Sequence, residues 1–374
     1  MAQRSLEHVQ QVKDHLRARI FRGELAEGTR IVEAEVRDET RASVRAVKQA
    51  LRDLAREGLL RRTRHIGTFV SGDLPAAVCA VLPRVHSIAI LTSYTQAHLA
   101  GALFAAQMLQ GIRDSLKPPC LLTTLTNARS TTVDDVPAVD VQAVKRSSQG
   151  LIALEANHDA LLNDLVRGGL PVVAVDFWRQ GHQFDVLHLD HELAGYLATT
   201  HLMSLGHRRI AWVGEGVSRQ SSDPSWQERL AGYLRAVAEG AGAQPQPLIL
   251  DVGRADRYLA REWPAFYERY KPTACLTASF GFANALVAEL DRSGLRCPED
   301  LSIACAEGGW SLGQFERLSA VRVDYEQVGR AAVRLLASRL ACSAMPPIRQ
   351  VLPVEFVGRG TSRPPAFRYI DGHN

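Results

Sequence analysis

The sequence predicts an α/β protein. A small helical unit closed by a hairpin is followed by a larger unit of two lobes, each a parallel sheet flanked by helices. Three observations carry this reading. Residues 1–72 hold helix-spaced apolar patterns and then a Gly-Thr-Phe-Val run. From Ser87 onward, short apolar runs alternate with amphipathic segments, the pattern of parallel strands joined by crossover helices. The alternation restarts at Arg209-Ile210-Ala211-Trp212-Val213-Gly214, which predicts two successive units of similar plan with a ligand-sized cleft between them.

Composition narrows the class. The chain has 374 residues, enough for two or three domains, and 46% of them are hydrophobic. No apolar run approaches the ~20 residues of a membrane span. The opening MAQRSLEHVQQ lacks the apolar core of a signal peptide, so a cytoplasmic protein without a membrane partner is expected. Cys79, Cys120, Cys275, Cys297, Cys305 and Cys342 are scattered and none forms C-x-x-C; reduced thiols are expected, with no metal site and no cofactor. The formal net charge of +4 lies within residues 1–75, and the rest of the chain balances to zero. A basic small unit on a neutral large one fits an anionic partner at one end.

In the first unit, Leu6, Val9, Val12, Leu16 and Ile20 step at helical spacing. Gly23 permits a helix stop, and the run to Ile31 reads as a turn with two apolar anchors. Ala34 to Arg41 forms a short second helix around Val36. A third helix spans Ser43 to Leu54, with Ser43 as its N-cap. Val44, Val47, Leu51 and Leu54 are predicted to share its buried side, while Arg45, Lys48 and Gln49 face outward with Arg52. An apolar stripe backed by Arg, Lys and Gln suits the major groove of DNA. Gly58 ends the helix; Leu59-Leu60 and Gly67-Thr68-Phe69-Val70 then form a two-stranded wing. Arg61, Arg62, Arg64 and His65 lie at its basic tip, placed to meet phosphates. Arg52 and Arg56 read as surface or ion-paired residues.

Residues 73–86 form a linker broken by Pro75 and Pro83. The larger unit spans 87–362, with lobe 1 at about 87–178 and 320–342, lobe 2 at about 182–310 and 348–362, and a tail over 363–374. Strands are predicted at Ser87–Leu91, Cys120–Leu125, Gly150–Leu154, Pro171–Asp176, Val186–Leu189, Arg209–Gly214, Pro247–Asp251, Ala274–Thr277 and Leu301–Cys305. Helices are predicted at Leu99–Leu116, His158–Arg167, Glu192–Leu205, Glu228–Gly240 and Phe282–Ser293.

The N-terminal segment resembles the winged helix-turn-helix domain of GntR-type transcription regulators. Gly23-Glu24-Leu25, Gly28, Glu35, Ser43, Val47, Ala50-Leu51, Glu57-Gly58-Leu59-Leu60 and Gly67-Thr68-Phe69-Val70 carry the match. The resemblance implies that Ser43, Arg45, Lys48 and Gln49 read DNA, with Gly67 and Thr68 in the wing. Two positions depart from it: Arg41 stands where the family has a turn glycine, and Val44 where it has the arginine of a Ser-Arg pair. The larger unit resembles the effector domain of LacI/GalR-type regulators, which share the periplasmic-binding-protein-like fold. Gly150-Leu151-Ile152, Pro171-Val172-Val173, Leu205-Gly206-His207-Arg208-Arg209-Ile210-Ala211, Arg229-Leu230-Ala231-Gly232-Tyr233 and Pro298-Glu299-Asp300-Leu301-Ser302-Ile303 carry that match. It implies a homodimer with a sugar or sugar derivative as effector. Arg229 is then the residue that grips ligand hydroxyls, and Glu307 stands at a ligand-binding acid position. The family's Asn-Asp pair is here Ser279-Phe280, which trades hydrogen-bonding groups for an apolar ring. Phe177, Trp178, Trp226 and Trp310 offer flat faces for stacking, Tyr94 lies after the first strand, and His207 is expected to fix a turn.

The resulting expectation is a DNA-binding regulator, a repressor on a pseudo-palindromic operator released by a carbohydrate-like effector. An activator, or a regulator with a non-sugar effector or none, stays open. An enzyme is disfavoured: no Walker loop, G-x-S-x-G, H-E-x-x-H or strand-linked G-x-G-x-x-G occurs. Only Lys117, Lys145 and Lys271 follow Lys48, and none sits in a cofactor motif. A transport binding protein is opposed by the N-terminal unit.

Overall fold

The computed structural model describes residues 2–21, 25, 29–56, 59–63, 67–70, 82–92, 103–116, 120–126, 139–154, 158–177, 181–214, 224–240, 247–252, 256–307, 316–341 and 346–365. The N-terminal part runs α1 (Ala2–Phe21), β1 (Arg30–Ile31), α2 (Glu33–Thr40), α3 (Val44–Arg56), β2 (Leu60–Thr63) and β3 (Gly67–Val70). Its core takes Val12 and Leu16 from α1, Val36 from α2, Val47, Leu51 and Leu54 from α3, and Leu60 and Val70 from the hairpin. Each large apolar side chain so buried contributes about 1.5–3 kcal/mol, which holds an otherwise marginal α3 in place. Outside that core, α1 is tied to α2 by Glu39, whose carboxylate meets His15 at 2.8 Å and Arg19 at 2.7 Å. The His15 hydrogen bond leads in holding the Glu39 carboxyl below the usual carboxylate range.

Two expectations for this part change. Val44 is 51% exposed: helical spacing puts it only about 20° from Leu51 around the axis, but in the first turn it stands outside the core that Val47, Leu51 and Leu54 enter. The wing is three-stranded, in the order β1-β3-β2, because Arg30 and Ile31 pair antiparallel with Phe69 and Thr68. Two residues are too few to show alternation. The turn after α2 places Arg41 at φ 52°, ψ 26°, in the left-handed region that a glycine occupies without strain. Gly23 and Gly58 lie outside the described residues.

The rest of the chain runs β4 (Ser87–Thr92), α4 (Leu103–Ser115), β5 (Leu121–Thr126), α5 (Val141–Ser147), β6 (Gly150–Leu154), α6 (Asp159–Arg167), β7 (Val172–Val175), β8 (Asp185–Leu189), α7 (His191–Ser204), β9 (Ile210–Gly214), α8 (Pro224–Glu239), β10 (Leu248–Asp251), α9 (Asp256–Tyr270), β11 (Ala274–Thr277), α10 (Phe280–Arg292), β12 (Ser302–Cys305), β13 (Ser319–Arg322), α11 (Tyr325–Ala341), β14 (Arg349–Leu352) and β15 (Glu355–Val357). Two six-stranded sheets result, ordered β14-β8-β7-β6-β4-β5 and β10-β9-β11-β12-β13-β15. Strands β6, β8 and β9 are buried along their whole length, as expected of parallel strands covered on both faces.

Two compact units follow: residues 1–188 with 326–352, and residues 189–325 with 353–374. The predicted lobe boundaries shift accordingly. β8, expected in lobe 2, pairs in parallel with β7 of the first sheet. β13, expected partly in lobe 1, pairs with β12 of the second sheet. β14, expected in lobe 2, lies beside β8. Apolar runs mark a strand but not the sheet it joins.

Among the described residues, each unit contains a close helix pair. In the first, a Cβ at Gly111 of α4 would stand 2.0 Å from the Glu326 carbonyl oxygen, and one at Gly329 of α11 would stand 2.1 Å from that of Met108. In the second, a Cβ at Gly195 of α7 would stand 2.0 Å from the Arg229 carbonyl oxygen, and one at Gly232 of α8 as close to that of Glu192. The first unit also buries an ion pair. Asp185, 1% exposed, accepts from Arg339 Nε at 2.8 Å and Nη2 at 2.6 Å, and from the Ile348 amide at 2.8 Å.

Candidate functional site

The first candidate surface is the outer face of α3. Ser43 Oγ accepts a hydrogen bond from the Ala46 amide at 3.2 Å, which caps the helix as its position predicts. Arg45, Lys48 and Arg52 are exposed on one side of the helix, away from the buried Val47, Ala50, Leu51 and Leu54, and Val44 is exposed in the first turn at the border between the two sides. Gln49 is half-buried, and its amide donates to Asp53 at 2.8 Å. Asp53 also meets Arg56 at 3.2 Å, so Arg56 is ion-paired as expected. In the hairpin, Arg61 and Arg62 are exposed on β2 opposite Phe69 and Thr68. Gly67 has φ +142°, and a Cβ there would stand 3.2 Å from Arg30 Nε. Thr68 is buried as a whole residue in the central strand of the wing, paired with Ile31 on one side and Arg62 on the other, so it supports the hairpin rather than facing a partner. Arg64 and His65 lie outside the described residues.

The second candidate surface forms where β9, β11 and β12 end, the edge at which open parallel sheets bind ligands. Arg229 reaches there from α8 and is 5% exposed. Its Nη1 donates to the Ala278 carbonyl at 2.9 Å and lies 3.6 Å from Glu307 Oε1. Its Nε donates to His191 Nδ1 at 3.2 Å, which puts the ring proton of a neutral His191 on Nε2. Glu307 Oε2 in turn accepts the Phe280 amide at 2.8 Å, at the start of α10. The carboxylate thereby meets a helix N-terminus and a guanidinium together, both favourable to negative charge. Ser279 is the N-cap residue of α10, yet its side chain makes no cap hydrogen bond; Glu307 supplies that acceptor from the neighbouring strand end.

Arg229, Glu307, Ser279 and Phe280, far apart in sequence, are therefore brought together. The guanidinium of Arg229 and the carboxylate of Glu307 stand there as a donor and an acceptor side by side. Trp226 is half-buried, with its ring edge-on to Phe282 at 5.5 Å. Phe177 belongs to the first unit. It is 1% exposed in the core of the first unit, with His182 at 5.3 Å between ring centroids. The aromatic pattern marked it, but burial gives it to packing. Trp178, Tyr94 and Trp310 lie outside the described residues. His191 and the Ala278 carbonyl were not expected here. A histidine two residues after a strand, opening a helix, was a usable signal for the first; no sequence signal marks a carbonyl.

The neighbouring thiols offer no chemistry. Burial pushes Cys305 up to about 12, with Glu307 adding to the shift, and pushes Cys275 well above the ordinary thiol value. Cys120, Cys275, Cys297 and Cys305 are free thiols. His207 fixes structure as expected: its ring nitrogens bond Thr273 Oγ1 and the Arg363 carbonyl, both at 2.9 Å. Among the described residues no helix is long and apolar enough to cross a membrane.

Comparison with known proteins bears on the two parts of the chain. Residues 8–70 match the model of bacterial regulatory proteins of the gntR family. Residues 199–362 match that of a periplasmic binding protein-like domain. The arabinose metabolism transcriptional repressor of Geobacillus stearothermophilus is 24% identical over 353 residues, covering 90% of this chain and 92% of its own. The HTH-type transcriptional repressor PurR of Photobacterium profundum is 25% identical over 248 residues, 63% of this chain and 71% of that protein. Among solved structures, the transcriptional regulator CelR–cellobiose complex superposes with a TM-score of 0.59 at 21% identity, covering 85% of this chain and 90% of that one. A LacI family transcriptional regulator from Enterococcus faecium with bound ribose gives 0.58 at 21% identity, covering 74% and 99%. At such identities the two structures speak to the fold. The chain is a DNA-binding transcriptional regulator, similar over residues 8–70 to bacterial regulatory proteins of the gntR family and over residues 199–362 to a periplasmic binding protein-like domain.

Proposed function

We propose that the chain is a repressor that acts as a homodimer on a pseudo-palindromic operator and is released by a carbohydrate-like ligand. The observation that carries this reading is the split surface of α3, an apolar stripe built into the core with Arg45 and Lys48 exposed on the other side. Arg45 and Lys48 reach base edges and phosphates, with Ser43 at the helix start. Arg61, Arg62 and Arg64 track the backbone, and Gly67 and Thr68 shape the wing that carries them. Gln49 joins once it releases Asp53. Two copies place α3 in major grooves about one helical turn apart, or a multiple of that. The near full-length likeness to an arabinose metabolism repressor supports both the sign of regulation and a sugar as ligand.

The ligand site comprises Arg229 and Glu307, with Ser279, Phe280 and Trp226 around them. Ligand and DNA then alter each other's affinity by the same factor. One feature favours a second reading, a ligand other than a common pentose or hexose. Ser279 and Phe280 offer fewer hydrogen-bonding groups than the Asn-Asp pair of the resembling family, and Phe280 adds an apolar face.

Footprinting of the chain's own upstream region, with arabinose, ribose and cellobiose added in turn, tests both. The expected result is a protected palindrome at moderate salt and loss of protection with one sugar, which also raises the melting temperature. No protection without sugar contradicts the repressor. Protection that no sugar relieves favours the second reading.

A further inference from the structure

The described exposed large apolar residues of the first 70 positions are Val32 and Val44, and Val44, at 51%, is the more exposed. The fold does not require it. Val47, Leu51 and Leu54 complete the buried stripe of α3, each at 1% exposure or less. A β-branched residue also helps a helix less than alanine or an unbranched side chain would. Its neighbours are cationic: Arg45, Lys48 and Arg52 are all exposed. At 3.6 residues per turn, Val44 lies about 40° from Lys48 around the helix axis and one turn before it. The Ser43–Ala46 hydrogen bond holds this first turn in place.

A side chain without donor or acceptor has one way to read sequence in the major groove. Thymine alone presents a methyl group there, and apolar contact with it is a base-specific interaction. We propose that Val44 is a specificity-determining residue, its isopropyl group packing on the 5-methyl of a thymine beside the base or phosphate that Lys48 meets. This inference rests on the reading of α3 as the DNA-reading helix. It also gives a physical meaning to the departure from the Ser-Arg pair: a hydrogen-bonding reader, suited to guanine, is replaced by a methyl reader.

The test uses the full-length chain. Preferred duplexes are selected from a randomised library, and each thymine of the selected site is then replaced singly by uracil, which removes only the 5-methyl group. Affinities are measured at fixed salt for the wild type and for Val44→Ala. The expected result is one thymine per half-site whose replacement weakens wild-type binding by about fourfold, the scale of one methyl-sized apolar group. The same replacement leaves Val44→Ala binding within about 1.5-fold, because the methyl's partner is already gone. Specific binding that no uracil replacement weakens, or a uracil effect equal in both proteins, overturns the role of Val44 while leaving DNA reading intact. Failure to select any duplex overturns both. The uracil series on the wild type needs no variant, and an unchanged melting temperature confirms that Val44→Ala is folded.

Discussion

Two residues set in the core show how single side chains hold each unit together. Asp185 is closed off from water and has Arg339 as its bidentate partner. Arg339→Met leaves a buried carboxylate without its counter-charge, a loss of about 3–5 kcal/mol. Urea unfolding should show a correspondingly lower midpoint; an unchanged midpoint would remove the pair from the stability of the first unit. In the second unit, burial lowers the affinity of His207 and His201 for protons below that of a free imidazole, near 6.5. The unfolded chain therefore binds protons at a pH where the folded chain does not. Stability is full above about pH 6.5 and falls as the pH drops towards the folded-state values. Between pH 7.5 and 5.5 the wild type should lose stability, and His207→Gln should lose less, by denaturant midpoints at each pH. An equal loss in both proteins would exclude His207 as a source. Glu39 acts in the same direction only at lower pH, below its ordinary carboxylate range. At this scale the site was partly legible. Arg229 and Glu307 were marked by the motifs around them, whereas Phe177 was misread because an aromatic side chain looks alike in a core and in a binding wall.

Helices and strands are positioned by contacts that local pattern shows unevenly. α3 was legible because its cap, its stripe and its cations agree. α5 was missed: it spans only Val141–Ser147, and its start rests on the Asp140 carboxylate accepting from the Gln142 and Ala143 amides. α9 was missed because Pro264 lies inside it. Leu259, Trp263 and Phe266 nevertheless keep helical spacing and are buried, while Pro264 sits on the exposed face, where water can satisfy the carbonyl that its ring leaves unbonded. The strands that change sheet were legible as strands but not as partners, since pairing depends on residues distant in sequence. The glycine contacts between helices make the sharpest prediction here. Gly232→Ala drives a methyl onto the Glu192 carbonyl of α7, so the two helices must separate. The cost is about 1–3 kcal/mol, even though alanine is the better helix former. A Gly232→Ala variant at least as stable as the wild type would show that α7 and α8 are not in contact.

For the whole molecule, the division of charge matches a division of labour. The basic segment offers Arg45, Lys48, Arg61 and Arg62 to an anionic duplex, and the neutral remainder holds Arg229 and Glu307 where parallel strands end. This two-part plan was legible from charge and alternation alone; the crossings between units, set by sheet pairing, were not. The measurement closest to the central claim is binding of the full-length chain to its selected duplex over a range of salt, for the wild type and for the Arg45→Ala, Lys48→Ala double variant. The expected result is at least about a tenfold loss of affinity and a salt slope shallower by up to about 2, as roughly one counterion is released per cation removed. Undiminished affinity with an unchanged slope, in a double variant that melts like the wild type, would contradict the assignment of α3 to DNA.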